Sequence, residues 1–110
     1  MMDKTMNTIV SDWKIVSVMD DNELVGKVIY ATVVDDMTCR FFKGDYVCTS
    51  SIESISIKSQ MIFTESGSIY QLIGNGSKAK IDMKDFELLR NGFSPEMINQ
   101  LNLTPNDYFH

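Results

Sequence analysis

The ten residues Val25-Gly26-Lys27-Val28-Ile29-Tyr30-Ala31-Thr32-Val33-Val34 carry apolar side chains at both alternating sets of positions. In an extended chain Val28, Tyr30, Thr32 and Val34 share one face, and Ile29, Ala31 and Val33 share the other. A strand that is apolar on both faces must be covered on both. The stretch therefore reads as a central strand, or as one that curves through the core. Gly26, near its start, marks a bulge or bend.

Working outward, Trp13-Lys14-Ile15-Val16-Ser17-Val18-Met19 is rich in aromatic and β-branched residues, which fit a pleated, half-buried surface. Asp20-Asp21-Asn22-Glu23 supplies the turn between the two strands. Residues 1–11 read as a polar lead-in, frayed or briefly helical. Beyond Asp35-Asp36, Thr38 to Phe42 opens a further strand, and Lys43-Gly44 is placed to turn the chain into Asp45-Tyr46-Val47-Cys48-Thr49. That turn sets Phe41 opposite Tyr46 and Cys39 opposite Cys48, whereas a Gly44-Asp45 turn shifts the register. Glu53 to Lys58 alternates polar and apolar residues as a one-sided strand does. Met61 to Thr64 and Ser68 to Ile73 flank the turn Glu65-Ser66-Gly67, and residues 74–77 form a loop.

Six short strands with tight connections predict an antiparallel meander over residues 13–73, forming a small barrel or a strongly bent sheet. The period then changes. Asp82 is placed as a helix cap, with Met83, Phe86 and Leu89 on one stripe, and Asn91-Gly92 is a stop. Ser94-Pro95-Glu96 starts a second helix, with serine as cap and proline in the first turn. Phe93 and Ile98 have the spacing of a hydrophobic staple. The expected fold class is α+β, mainly β, as a single domain over 1–110 with one or two C-terminal helices in 82–102.

Of the 110 residues, 44% are hydrophobic and 23% charged, a globular balance. The net charge of −5 repels phosphate backbones, and the candidate basic cluster Lys78, Lys80 and Lys84 is interleaved with Asp82 and Asp85. Nucleic acid is not the expected partner. No stretch approaches the ~20 apolar residues of a membrane span, and the start of the chain has no charged, then apolar, export pattern. With two cysteines read as reduced thiols, the expected location is the cytoplasm.

The catalytic inventory is thin. The single histidine is His110, at the end of the chain, so no base stands beside a serine or cysteine. Cys39 and Cys48 give at most two of the roughly four ligands of a zinc site. The acids at Asp20, Asp21 and Glu23, and at Asp35 and Asp36, fall at turns, where carboxylates commonly cap backbone amides. Gly74-Asn75-Gly76-Ser77-Lys78 lacks the glycine spacing of a phosphate loop. No catalytic residue, metal or cofactor is expected.

The strings Gly26-Lys27-Val28, Val34-Asp35-Asp36, Arg40-Phe41, Gly44-Asp45-Tyr46-Val47-Cys48-Thr49-Ser50 and Thr64-Glu65-Ser66-Gly67-Ser68-Ile69-Tyr70-Gln71-Leu72 resemble a group of small uncharacterised bacterial and phage-associated proteins, sometimes found on mobile elements. The resemblance covers about half of the chain and implies an accessory gene product. It implies no activity and no functional residues.

The leading expectation is a non-enzymatic interaction module, a homodimer or a binder of another protein. A meander leaves unpaired edges, and Tyr108 and Phe109 supply aromatics of the kind enriched at interfaces. The alternative is a small-molecule binder or minor enzyme with a pocket between sheet and helices. Its lining candidates are the polar-tipped Trp13, Tyr30, Arg40, Tyr46 and Tyr70.

Overall fold

The computed structural model describes residues 7–103. Its frame is one long antiparallel hairpin, β1 (Thr8–Asp20) and β2 (Glu23–Asp36). The turn residues Asp21 and Asn22 have φ of 52° and 72°, the left-handed pair of a two-residue type I′ turn. Asp and Asn tolerate that conformation, and its twist matches that of the flanking strands. The run read first from the sequence is thus a central strand, β2, paired on both sides.

The hairpin is interrupted where its geometry has to change. Asp12 and Trp13 together stand opposite the single residue Ala31, and Asp12 has φ of 49°. Such a bulge inverts the alternation of side chains. Val10 and Ile15 consequently face one core while Val16 and Val18 face another. The bulge also divides the outer edge of β1 between two parallel partners. Thr8–Val10 pair with β6 (Ile69–Leu72), and Lys14–Met19 pair with β7 (Ser77–Asp82). A second bulge, at Val25 beside Gly26, sits where the sequence marked one.

The sheet runs β3-β2-β1-β6-β5-β4, with β3 Tyr46–Cys48, β4 Ile52–Ser56 and β5 Met61–Thr64, and β7 lies off this path beside β1. It is mixed, so the all-antiparallel meander is corrected at β1. The strands span residues 8–82 rather than 13–73. Thr8 and Val10 are buried, so the polar lead-in is partly sheet. Residues 77–82 form a strand because Ala79 and Ile81 face a core while Lys78 and Lys80 stay exposed. The path does not close into a barrel. Its two ends, β3 and β4, are joined only by residues 49–51. The Thr49 N–H bonds to Ile29 O on β2, and Ser51 O accepts from Glu65 N–H beyond β5. The sheet is bent enough that residues of β2 and β4 lie within 8 Å, Cα to Cα.

The predicted 39–48 hairpin does not form. Instead β3 pairs with β2, placing Cys48 opposite Tyr30, Val47 opposite Ala31 and Tyr46 opposite Thr32. Both cysteines are free, and Cys39 lies exposed at φ of 63°. The cause is Asp36. Its carboxylate accepts the amides of Thr38 (3.0 Å), Arg40 (2.6 Å) and Phe41 (2.8 Å), together with the Thr8 hydroxyl (2.7 Å). Residues 36–41 therefore wrap around a side chain and are withdrawn from any ladder.

Inside the bend, Val10, Ile29, Val33, Val47, Ile62 and Tyr70 form one core. On the opposite face Val16, Val18, Val28 and Ile81 pack against Leu89 of α1 (Phe86–Arg90) and Ile98 of α2 (Pro95–Leu103). Asp82 ends β7 and makes no side-chain cap, and a 3₁₀ turn over Met83–Asp85 leads into α1. Gly92 N–H bonds to Leu89 O and Phe93 N–H to Leu88 O, the two bonds of a Schellman stop with Gly92 at φ of 103°. Ser94 Oγ accepts the Met97 N–H at 3.1 Å, the expected cap of α2. No helix among the described residues is long and apolar enough to cross a membrane.

Candidate functional site

At the edge of the sheet, β3 has a strand partner on one side only among the described residues. Along its other side lies a cleft of about 690 Å³, walled by the consecutive residues 44–50. The Asp36-centred loop places Arg40 and Phe41 at one wall, Tyr70 rises from β6, Ser66 comes from the β5–β6 turn, and Arg90 ends α1. No sequence-local pattern links these positions. Only the bend of the sheet assembles them.

Arg40 is exposed, and its guanidinium touches neutral groups. Nε donates to Thr38 Oγ1 at 2.8 Å, Nη1 to Ser68 Oγ at 3.2 Å, and Nη2 to Tyr70 Oη at 3.5 Å. It also lies 4.9 Å from the Phe41 ring centroid, a cation–π distance. Among the described residues it has no ion pair. Arg90 pairs with Glu87 at 3.4 Å, both side chains being largely exposed, a contact that contributes little. The carboxylate on the cleft wall is that of Asp45, which accepts the Phe42 N–H at 2.9 Å. Ser50 and Ser66 hydroxyls meet at 3.1 Å at the far end. The cleft thus presents two guanidinium groups and several hydroxyls, in a protein whose net charge is −5.

Tyr30 and Tyr46 are committed to structure. Their rings stack with centroids 6.0 Å apart. Tyr30 Oη donates to Gly92 O at 2.6 Å and Tyr46 Oη to Arg90 O at 2.8 Å. Arg90 O is a carbonyl that the end of α1 leaves without a helical partner, and Gly92 O belongs to the stop that follows it. Burial, with the nearby Tyr46, Cys48 and Glu96, holds the Tyr30 hydroxyl above its ordinary value, so it stays a donor. Burial also pushes the Cys48 thiol up to about 11, against the opposing charge of Arg90. A thiol held protonated in this way is a poor nucleophile.

The five residues nominated from sequence therefore divide. Arg40, Tyr46 and Tyr70 line the cleft, and Tyr30 stacks beneath Tyr46. Trp13 lies elsewhere. Its Nε1 donates to Gly74 O at 3.2 Å, and it walls a separate apolar pocket of about 280 Å³ with Ile15, Ile55, Ile57 and Leu72. Tyr108 and Phe109 lie outside the described residues. Arg90, Ser50 and Ser66 escaped sequence reasoning, because a cation ending a helix and a serine in a turn are ordinary features of a solvated surface. No group of three or more metal-ligating side chains occurs among the described residues.

A family model described as a domain of unknown function (DUF6957) matches residues 1–88. The chain belongs to the DUF6957 family. The matched part of this DUF6957 domain carries the seven strands of the described residues and the cleft wall from Arg40 to Tyr70; Arg90 and α2 lie beyond it. Comparison with curated proteins and with solved structures gives no match.

Proposed function

We propose that this domain is a binding module whose cleft along β3 takes a ligand bearing negative charge. The observation that carries the reading is the Arg40 guanidinium, held in the cleft by neutral hydroxyls with no ion pair among the described residues; the Asp36 carboxylate stands one hydroxyl away, behind Thr8 and Thr38, and that of Asp45 accepts the Phe42 amide. Its fork of donors suits a carboxylate or phosphate oxygen pair, and Arg90 supplies a second cation. The groups around it favour holding over turnover, since the buried Cys48 thiol is kept protonated and the tyrosine hydroxyls of Tyr30 and Tyr46 cap a helix.

A thermal-shift series with glutamate, citrate and inorganic phosphate at millimolar concentration tests this, with Arg40→Ala and Arg90→Ala beside the parent. A ligand that binds only the folded state must raise the melting temperature. The expected result is a shift in the parent that Arg40→Ala abolishes. Equal shifts in parent and variant, or none with any anion including anionic peptides, would overturn the reading.

A second reading, a homodimer, is favoured by β4. Among the described residues it has a strand partner on one side only, and Ile55 and Ile57 are 44% and 85% exposed beside it. Light scattering on a sizing column distinguishes this: a monomer at every concentration rules it out, and Ile57→Lys should dissociate a dimer.

A further inference from the structure

The cleft wall is a strand edge, and its backbone chemistry points to a ligand more specific than an anion. In an antiparallel pair, residues alternate between those bonded to the partner strand and those whose N–H and C=O point away from it. On β3 the bonded set is fixed by two bonds, Val33 N–H to Asp45 O at 2.7 Å and Thr49 N–H to Ile29 O at 3.0 Å. Val47, opposite Ala31, falls in the same set. Tyr46 and Cys48 therefore direct their N–H and C=O groups off the edge, into the cleft that residues 44–50 line. The strand proper is Tyr46–Cys48, three residues or roughly 10 Å at ~3.3 Å each, so the outward-facing backbone groups are those of Tyr46 and Cys48.

The two cations stand on opposite faces of that edge. Arg40 lies on the face of Val47, over Phe41 and against the Tyr70 hydroxyl. Arg90 lies on the face of Tyr46 and Cys48, where the Tyr46 hydroxyl bonds its carbonyl. Side chains of a strand added along β3 would alternate between these faces. Acidic residues at adjacent positions, or at any odd separation, would then meet both arginines.

We infer that the ligand of this cleft is an extended acidic peptide segment that adds to β3 as a strand. Main-chain bonds to Tyr46 and Cys48 supply its affinity, and Arg40 and Arg90 select neighbouring acidic side chains. This rests on the anion-binding reading above and names its partner class. A bare strand edge has no use for a compact anion, whereas it is the whole requirement for an extended chain. The net charge of −5 makes the contrast sharper, because an acidic peptide is repelled elsewhere on the domain and drawn to this edge.

The test is a titration of the ¹⁵N-labelled full chain with the acetylated, amidated peptide Thr-Val-Glu-Glu-Val-Thr. Three comparisons accompany it: the same peptide with both glutamates replaced by lysine, the same peptide N-methylated at alternate amides in either phase, and free glutamate. The expected result is saturable binding with amide shifts concentrated at residues 44–50. Affinity should fall at least tenfold with lysine and with one phase of N-methylation, and free glutamate should bind at least tenfold more weakly. If both N-methylated peptides bind as well as the parent, or free glutamate binds as tightly, strand addition is overturned while the anion site stands. If no glutamate-containing probe binds, the acidic-peptide inference falls, and the anion site falls with it when citrate and phosphate also give no thermal shift. Because the decisive comparison changes the peptide and not the protein, no outcome depends on a variant that fails to fold.

Discussion

Asp36 shows how one side chain reroutes a chain. The sequence offers Thr38 to Phe42 as a strand, with aromatic and β-branched residues in favour. Yet three amides and two hydroxyls converge on one carboxylate and form a loop that satisfies more donors locally than an edge pairing would. Burial by itself would raise the Asp36 carboxyl. The Thr38 and Thr8 hydroxyls and the Thr38 and Phe41 amides outweigh it and hold the group far below its ordinary 3.8. With the folded value depressed, the unfolded chain takes up the proton first as pH falls. The stabilisation is thus complete above about pH 5 and drains away as pH drops through 3.8 toward the folded value. Asp36→Asn should cost about 1–2 kcal/mol at neutral pH, since the carboxylate is partly solvated, and should flatten the acid limb of stability. Urea midpoints of parent and variant between about pH 3 and pH 7 check both, and curves that stay parallel would refute the charge-based account. The loop matters to the proposed site because it sets Arg40 in the cleft. Arginine was nominated from its chemistry. Its setting came from an aspartate four residues earlier, a link that no spacing rule makes visible.

At the scale of elements, the bulge at Asp12-Trp13 and the stop at Gly92 each fix where a strand or helix hands over to the next. Asp12 sits at φ of 49°, open to glycine or asparagine and strained for a β-branched residue. Asp12→Gly should leave stability within about 0.5 kcal/mol, and Asp12→Val should cost about 1–2 kcal/mol. Deleting Asp12 should prevent folding outright, because Val16 and Val18 would exchange faces with Ile15. Circular dichroism and denaturant melts of the three variants separate these outcomes. Gly92 is constrained twice, by φ of 103° and by the Tyr46 ring, which a Cβ would meet at 3.0 Å. Gly92→Ala should therefore cost about 1–3 kcal/mol in urea melts and disturb the Tyr30–Tyr46 stack. The helix stop and the Ser94 cap were legible because their signals lie within a few residues of the bonds they make. The bulge was not, since Asp12 reads as a polar residue ahead of a strand starting at Trp13 until both parallel partners of β1 are known. β7 was hidden by its lysines, which keep one face of a short strand exposed and resemble a loop in composition.

For the whole molecule, the β1–β2 hairpin is the common wall of two cores, one inside the bend and one under the helices. Its amides should exchange with solvent most slowly, near the global unfolding limit, while β4, paired on one side, should exchange by local opening. Native-state hydrogen exchange resolved by residue tests this, and β4 protection equal to that of β2 would indicate that its edge is covered, as in the dimer. Sequence alone was enough for the extended run after Trp13, the two-sided burial of β2, the turn within Asp20–Glu23 and the capped second helix. It was enough because those outcomes depend on side-chain alternation and on bonds spanning a few residues. Only the tertiary structure decided that β1 takes parallel partners, that β3 pairs with β2, and that a bare edge faces Arg40 and Arg90. Those choices are settled by contacts between residues 14 to 63 positions apart. Many pairings bury similar apolar area, and the selection falls to bulges, buried carboxylates and hydroxyl bonds whose partners meet only once the chain has folded.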